Sequence, residues 1–132
     1  MPKTQVRKEL QFETPDTPGQ LAKVCEACGK AGVNIDAVSA YGRDAKGHFR
    51  MCTSDNAKAA QVLNAAGYAT NEKEVVTMEI ENSPGKMLEA ARKIGEAGIN
   101  LKSIYGSASV RGKPQFVVLD SDNNAKLAKL FA

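Results

Sequence analysis

The residue types best suited to chemistry in this sequence are three cysteines and a single histidine. Cys25 and Cys28 form a Cys-x-x-Cys pair, and Cys52 lies four residues after His48. A Cys-x-x-Cys pair suits thiol–disulfide exchange, and cysteine together with histidine suits zinc. Zinc needs four well-placed ligands and a redox pair needs an exposed thiolate, so each use demands more than this spacing provides. We interpret the cysteines as core residues, with a redox pair as the second alternative and a metal site as the third.

Other catalytic arrangements have little support. One histidine leaves no plausible Ser/His/Asp set, and we interpret His48 as a solvated turn residue. The stretch 106–112 contains two glycines but lacks the spacing of a phosphate-binding loop or a dinucleotide fingerprint. We therefore predict a protein that is not an enzyme and that uses no cofactor and no metal.

The composition is that of a globular protein. Of the 132 residues, 42% are hydrophobic and 25% are charged, and the formal net charge is +3. Basic residues are mixed with acidic ones, which argues against nucleic acid as a partner because nucleic-acid proteins usually carry a basic stripe. The longest apolar stretches are too short for a bilayer, and the N-terminus lacks the apolar region of a secretory signal. These features predict a cytoplasmic protein with no membrane partner.

The chain repeats itself after about sixty residues. Pro18-Gly19 recurs as Pro84-Gly85, and Gly-Lys-Ala-Gly-Val-Asn-Ile at 29–35 recurs as Gly-Glu-Ala-Gly-Ile-Asn-Leu at 95–101. Such self-similarity indicates a duplicated structural unit and has to be read before any local motif. We place a one-residue shift in the register after the second strand, so that Ser-Asp-Asn at 54–56 matches Ser-Asp-Asn at 121–123.

The duplication also bears on the cysteines. In this register each cysteine aligns with an apolar residue: Cys25 with Ala91, Cys28 with Ile94 and Cys52 with Leu119. Free cysteine behaves as a small apolar residue in protein cores. The alignment therefore favours the core interpretation.

Each repeat is predicted to form a strand, a helix, two strands and a helix. The stretches 9–13 and 76–81 alternate apolar and polar residues, as half-buried strands do. After each Pro-Gly turn, apolar residues recur at the helical period, for example at Leu21, Val24 and Cys28. Residues rich in β-branched types follow as two strands, and Ser, Asp and Asn precede the last helix of each repeat, where they can cap it.

We predict two domains, 1–74 and 75–132. Residues 68–74 can supply a fourth strand to the first repeat, which gives the βαββαβ order of ferredoxin-like folds. For the second repeat we predict that residues 2–8 supply this strand. The predicted fold class is α+β, with two ferredoxin-like βαββαβ units side by side and an antiparallel sheet with the helices packed on one face.

Two features of each repeat are candidates for binding. The first is the turn from strand to helix, at 16–21 and 82–87, where the helix N-terminus favours an anion such as a carboxylate. Asp16 in the first turn could attract an ammonium group. The second is the start of the next strand, at Asn34 and Asn100, since this strand is at the edge of a ferredoxin-like sheet and its unpaired backbone groups need a partner. Two such edges could pair, and a small polar molecule could then bind where a turn of one unit faces a strand of the other.

The Pro-Gly-x-Leu/Met turn, the Gly-Val/Ile-Asn-Ile/Leu strand start and the βαββαβ order resemble the ACT domain, here in tandem over nearly all of the chain. The resemblance implies a non-catalytic regulatory module that binds amino acids or similar small molecules between two ACT units. Carried over by position, it implies these ligand-facing residues in the first repeat: Asp16, Pro18, Gly19, Gln20, Leu21, Asn34 and Ile35. In the second repeat it implies Asn82, Pro84, Gly85, Lys86, Met87, Asn100 and Leu101.

By this resemblance the amides of residues 19–21 hold a carboxylate, Asp16 and strand carbonyls hold an ammonium group, and Asn34 and Asn100 orient the ligand. The two sites differ because Asn82 replaces Asp16 and Lys86 replaces Gln20, which argues against symmetrical binding. We expect an amino-acid sensor that forms a homodimer and regulates a partner protein.

Two other interpretations stay open. A structural or protein-interaction module without a small-molecule ligand is the main alternative, because fold does not determine function. An RNA recognition motif shares the βαββαβ order, but it needs exposed aromatic rings on which bases stack. Phe49 and Phe116 are the aromatic residues on the relevant strands, and we interpret both as core residues.

Overall fold

The computed structural model describes residues 2–107 and 109–131. The strands over these residues are β1 (Lys3–Pro15), β2 (Ile35–Arg43), β3 (Lys46–Thr53), β4 (Thr70–Glu81), β5 (Leu101–Gly106) and β6 (Pro114–Ser121). The helices are α1 (Gln20–Lys30), α2 (Asn56–Ala65), α3 (Lys86–Glu96) and α4 (Asn124–Leu130). None of these helices is long and apolar enough to cross a membrane.

The chain divides into two compact units. The first unit comprises Lys8–Lys73, and the second comprises Met1–Arg7 together with Glu74–Ala132. In the first unit the strand order is β2-β3-β1-β4, and in the second it is β1-β4-β6-β5. Strand β3 pairs antiparallel with β1 and β2, and β6 pairs antiparallel with β4 and β5. The predicted α+β class with ferredoxin-like βαββαβ units and an antiparallel sheet is confirmed.

The core of the first unit lies between one face of its strands and its two helices. Leu10, Phe12, Phe49 and Met51 alternate along β1 and β3, and they pack against helix residues that include Leu63. Phe12 and Phe49 stack with their ring centroids 5.0 Å apart. The period-2 and period-3.6 patterns of the sequence thus meet in one apolar layer.

The second unit is built in the same way. Val76, Met78, Ile80, Val117 and Leu119 from β4 and β6 form one buried cluster with residues of both helices. The helix residues of this cluster are Ala90, Ile94 and Leu127. Both helices of each unit therefore cover the same face of its strands.

The first residues of the chain make side-chain contacts within the second unit. The Thr77 hydroxyl donates to the Gln5 carbonyl at 3.3 Å, and the Thr4 hydroxyl donates to the Ala128 carbonyl at 2.9 Å. Arg7 lies over the ring of Phe116 at 5.4 Å from its centroid. These contacts support the proposal that residues 2–8 complete the sheet of this unit, which a truncated variant can test.

The predicted one-residue shift between the repeats is wrong, because the shift is two residues. Ile35 pairs with Thr53 in the first unit, and Leu101 pairs with Ser121 in the second. The β2–β3 connection is a tight two-residue turn, whereas residues 107–113 separate β5 from β6, and the longer loop accounts for the extra positions. Cys52 is consequently equivalent to Asp120, not to Leu119.

The same hydrogen-bonded clamp occurs at the start of the last helix of each unit. The Thr53 amide and hydroxyl donate to Asn56 Oδ1 at 3.3 and 2.6 Å, and Asn56 Nδ2 donates to the Lys8 carbonyl at 2.8 Å. In the second unit the Ser121 amide and hydroxyl donate to Asn124 Oδ1 at 2.9 and 2.8 Å. This clamp joins the end of one strand to the helix that follows it.

The tight turn between β2 and β3 places two residues other than glycine in the left-handed region. Asp44 has φ 55° and Ala45 has φ 62°, and Arg43 pairs with Lys46 on either side of them. Two residues with positive φ define the type I′ turn that fits the right-handed twist of paired strands. Alanine is an unfavourable residue there because its Cβ approaches the following carbonyl oxygen.

The structure separates the three cysteines. Cys28 is fully buried in the first unit's core, which confirms its core interpretation, whereas Cys25 is exposed, so the interpretation is wrong for that residue. Cys52 is buried on the strand face that points away from the helices. Burial raises the pKa of the Cys28 thiol, and the neighbouring Cys25 adds to the rise. Within the described part of the chain, no three metal-binding side chains are close enough to hold an ion.

Candidate functional site

The two Pro-Gly turns have the same unusual geometry. Gly19 and Gly85 are the N-cap residues of α1 and α3, with φ of 92° and 86°, a region that favours glycine because it has no Cβ. Neither N-cap residue accepts a hydrogen bond through a side chain. The two other helices do have such caps, since Asp55 and Asn123 accept from the amides three residues later at 3.0 and 3.1 Å. The first turns of α1 and α3 therefore keep backbone donors available to solvent or to a ligand.

In the second unit this turn borders a cleft of about 520 Å³. The lining residues are Asn82, Ser83, Pro84, Gly85, Met87 and Arg111. Four of these residues are predicted site residues, and the cleft adds Ser83 and Arg111. Lys86 lies beside it, 4.0 Å from Glu89 in an i,i+3 ion pair.

Residues 109–113 are held against the turn by backbone groups around Asn82. The Asn82 amide donates to the Lys113 carbonyl at 2.9 Å, and the Gly112 amide donates to the Asn82 carbonyl at 2.7 Å. The Asn82 side chain donates to the Ser109 carbonyl at 3.2 Å. Arg111 is brought to the cleft by this docking. The sequence contains no local signal for it, because Arg111 lies 26 residues beyond Gly85.

The cleft is suited to an anionic group beside an apolar one. The guanidinium of Arg111 and the α3 N-terminus both favour negative charge. Met87 supplies apolar surface, and no carboxylate is among the described residues that line the cleft. A carboxylate-bearing small molecule therefore fits the chemistry of this surface better than a cation does.

The corresponding turn of the first unit is built differently. Asp16 is exposed and lies close to the backbone of Gly42, where a Cβ would be 3.1 Å from Asp16 Oδ2. Gln20 bridges two elements, since its carbonyl oxygen accepts from the Tyr68 hydroxyl at 2.6 Å and its amide donates to Thr17 at 2.9 Å. The turn residues Pro18, Gly19 and Leu21 are exposed.

Gln20 also lines a cleft of about 510 Å³ in the first unit. Its basic and aromatic lining residues are Lys23, Lys46 and Tyr68. None of these three is among the predicted site residues, because they come from α1, from β3 and from the loop before β4 and share no sequence motif. The two units therefore present different chemistry at equivalent turns.

The asparagines at the strand starts have a clear structural role. The Asn34 amide donates to the Ser54 hydroxyl at 2.9 Å, and the Asn34 carbonyl accepts from the Ser54 amide at 2.9 Å. Asn100 makes the equivalent pair with Asp122, at 3.2 and 3.0 Å. The Asn34 side chain donates to Asp36 at 2.7 Å. These bonds join the start of one strand to the end of its neighbour.

Within one unit, the turn and the strand start do not meet. Ile35 and Leu101, which follow the two asparagines, are partly buried against their own cores. Helices α1 and α3 each contain 11 residues, so their two ends are roughly 16 Å apart at 1.5 Å per residue. A turn and a strand start of the same unit therefore cannot both contact one small ligand, and the composite site stays a prediction.

Comparison with protein families gives one match, which falls in the first unit. Residues 8–67 match the family model of the ACT domain. The matched residues are almost the whole first unit and a little under half of the chain. A search of curated proteins found no match.

Comparison with solved structures extends the likeness to nearly the whole chain. Protein BT0572 from Bacteroides thetaiotaomicron superposes with a TM-score of 0.86 at 24% identity, covering 97% of this chain and 88% of that one. The regulatory subunit of aspartate kinase from Thermus thermophilus, in a ligand-free form, gives 0.68 at 14% identity, covering 96% and 95%. The same subunit from Thermus flavus gives 0.63 at 15% identity, covering 97% and 94%. At these identities the likeness shows the fold.

Proposed function

We propose that this chain is a non-catalytic regulatory protein made of two ACT units and that it binds an amino acid or a related carboxylate. The observation that carries the proposal is the cleft of the second unit, which is lined both by Arg111 and by a helix N-terminus without a side-chain cap. The ACT match of residues 8–67 supports it, as does the likeness of fold to regulatory subunits of aspartate kinase. In the proposal the ligand carboxylate binds to Arg111 and the amides of Met87 and Leu88, because the Lys86 amide already donates to the Ser83 carbonyl at 3.2 Å. The ligand side chain packs on Met87.

The proposal includes the composite arrangement expected from the sequence, in which the turn of one unit and the strand start of another hold one ligand. It also includes a cytoplasmic homodimer that passes the binding signal to a partner protein. Strands β2 and β5 end the strand order of their units, and Val38 and Ile104 on them expose apolar surface. Unpaired strand edges favour pairing with another chain. Sedimentation measurements with and without ligand would test the dimer.

A thermal-shift screen against the twenty amino acids tests the binding itself. A ligand at a hundred times its dissociation constant stabilises the folded state by about 2.7 kcal/mol. We expect one amino acid or a small related group to give such a shift. The Arg111→Gln variant should weaken its binding about tenfold, because a charge-assisted hydrogen bond to the carboxylate is lost. Lys113→Gln makes the same change of charge in the same loop and should bind as the wild type does.

Each failure has a distinct meaning. If Arg111→Gln and the wild type bind the ligand equally well, the ligand does not bind in this cleft, although the protein still binds an amino acid. A screen without any shift would favour the alternative, a protein-interaction module. The observation that favours this alternative is the exposed apolar surface beside the cleft, where Leu88 and Val110 are 56% and 73% exposed.

A further inference from the structure

The outer strand face of the first unit, which points away from α1 and α2, carries a second concave surface. It has a volume of about 550 Å³ and is lined by residues of the first unit, among them Tyr41, Arg43, His48 and Arg50. This volume is within the range of small-molecule pockets, roughly 300–1,000 Å³. The surface is separate from the cleft of the proposed amino-acid site, so its role is independent of that proposal.

Strand register builds this surface as rows of side chains. Glu13, His48 and Tyr41 lie side by side across β1, β3 and β2, and the next row is Gln11, Arg50 and Ser39. Because side chains alternate along a strand, these rows face away from the core residues Phe12, Phe49 and Met51. The prediction that His48 is a solvated turn residue is wrong, since it lies on β3 with a side chain only 21% exposed.

The first row is fixed by contacts around the imidazole. The His48 and Tyr41 rings stack with centroids 5.3 Å apart and planes 19° apart. His48 Nδ1 lies 3.6 Å from the Glu13 carboxylate, and His48 Nε2 lies 3.2 Å from the Arg43 carbonyl. The Tyr41 ring is therefore held in place while 40% of the residue stays exposed. A fixed, partly exposed ring is a stacking platform for a planar ligand.

The second row contains a cation without a counter-ion. Arg50 is partly buried, and over residues 2–107 and 109–131 its guanidinium makes no ion pair and no hydrogen bond. Among the described residues that line the surface, Glu13 carries the one carboxylate, and it already faces His48 and lies 3.8 Å from Lys46. Arg43, at the outer end of the surface, lies over the Tyr41 ring at 5.8 Å from its centroid and 3.8 Å from its neighbour Asp44. An anion beside the aromatic ring can therefore pair with Arg50, while Arg43 adds positive charge at the ring itself.

The second unit shows that the fold itself does not require these residues. When the repeats are aligned with the two-residue shift, Phe116 and Val118 occupy the positions of His48 and Arg50. Val118 is buried. Thr77 stands where the first unit has Gln11. The same strands can thus be filled with apolar and small side chains, so the polar rows are a property of the first unit alone.

We propose that this outer face binds a mononucleotide. The base stacks on Tyr41, Arg50 and Arg43 bind the phosphate, and amide groups at the rim such as that of Asn71 bind the base edge. An aromatic platform combined with guanidinium groups is how proteins bind bases and phosphates without sequence readout. A planar ring joined to an anionic group is the ligand chemistry that matches both rows at once.

Titration of the intact chain with AMP, GMP, CMP and UMP, followed by calorimetry and by ¹H–¹⁵N shifts, tests the proposal. We expect saturable binding of at least one nucleotide, with shifts centred on Ser39, His48 and Arg50. The matching nucleoside and inorganic phosphate should each bind at least tenfold more weakly. The nucleoside can only stack on Tyr41, and inorganic phosphate can only bind the arginine side chains. Arg50→Gln should weaken binding at least tenfold and Tyr41→Ala at least fivefold, whereas Tyr41→Phe should keep most of the affinity.

The control is Arg92→Gln, which removes an exposed arginine of α3 and should bind as the wild type does. Unchanged circular dichroism and melting point would show that each variant is folded, and Arg50→Lys should bind with intermediate affinity. The proposal is overturned if no nucleotide binds, if the shifts centre on residues 82–87, or if Arg50→Gln binds like Arg92→Gln. If a hexaribonucleotide binds more than tenfold tighter than every mononucleotide, the ligand of this face is RNA and not a mononucleotide.

Discussion

Replacing Asn56 with alanine should destabilise the first unit by about 2 kcal/mol. The side chain accepts two hydrogen bonds from Thr53 and donates one to the Lys8 carbonyl. Each intramolecular hydrogen bond contributes about 1 kcal/mol, so the loss is about 3 kcal/mol. Alanine is the better helix residue at the start of α2, which returns up to about 0.7 kcal/mol. The hydrogen bonds therefore outweigh the helix propensity.

Urea unfolding followed by circular dichroism measures this effect. At a slope of about 2 kcal/mol per molar urea, the midpoint should fall by about 1 M. Asn56→Asp separates the contributions, because it keeps the acceptor for Thr53 and loses the donor to Lys8, and it should cost about 1 kcal/mol. A midpoint of Asn56→Ala within about 0.2 M of the wild type, roughly a fifth of the expected change, would refute the reasoning.

The second unit provides an internal comparison for the same experiment. Asn124 accepts from the Ser121 amide and hydroxyl, and its Nδ2 lies 3.2 Å from the Glu74 carbonyl. Asn124→Ala should therefore cost about as much as Asn56→Ala. If the two units unfold in separate transitions, each variant should move only the transition of its own unit.

The remaining predictions concern stability and reactivity. Leu63→Ala should cost about 3 kcal/mol in urea unfolding, because Leu63 is fully buried and a cavity would remain. Ala45→Gly should raise the urea midpoint slightly, since relief of roughly 1 kcal/mol of left-handed strain exceeds the added freedom of the unfolded chain. Iodoacetamide should label the exposed Cys25 before the buried Cys28. Because burial raises the pKa of the Cys28 thiol, the free energy of unfolding should fall as the pH rises above about 8.5, where the thiol of the unfolded chain ionises first. The Cys28→Ala variant should lose this pH dependence. Deletion of residues 1–7 should lower the melting point, and a truncated chain as stable as the full one would show that this segment does not complete the second unit.

The elements and their order could be predicted from local patterns. Alternation along 9–13 and 76–81 marked two strands, and the helical period after each Pro-Gly pair marked α1 and α3. These predictions hold because side-chain periodicity records which face of an element is buried. The Pro-Gly pairs and the Ser/Asp/Asn runs marked helix starts for equally local reasons, namely a positive φ at glycine and a side-chain cap.

The register between the repeats was mispredicted because it depends on loop length. A two-residue turn and a seven-residue loop join equivalent strands, and neither length follows from the similarity of the strands themselves. A shift of one residue exchanges the two faces of a strand. The prediction therefore paired Cys52 with a core leucine, although its equivalent is Asp120 on the opposite face.

By itself, the sequence determined the duplication, the α+β class, the order of elements and the two Pro-Gly turns, because each depends on residues close together in the chain. Only the tertiary structure decided which distant side chains share a surface. Strand pairing sets Tyr41, His48 and Arg50 side by side, and docking of residues 109–113 brings Arg111 to the turn at Gly85. These placements follow from hydrogen bonds and burial between segments far apart in the chain, and no local pattern encodes them.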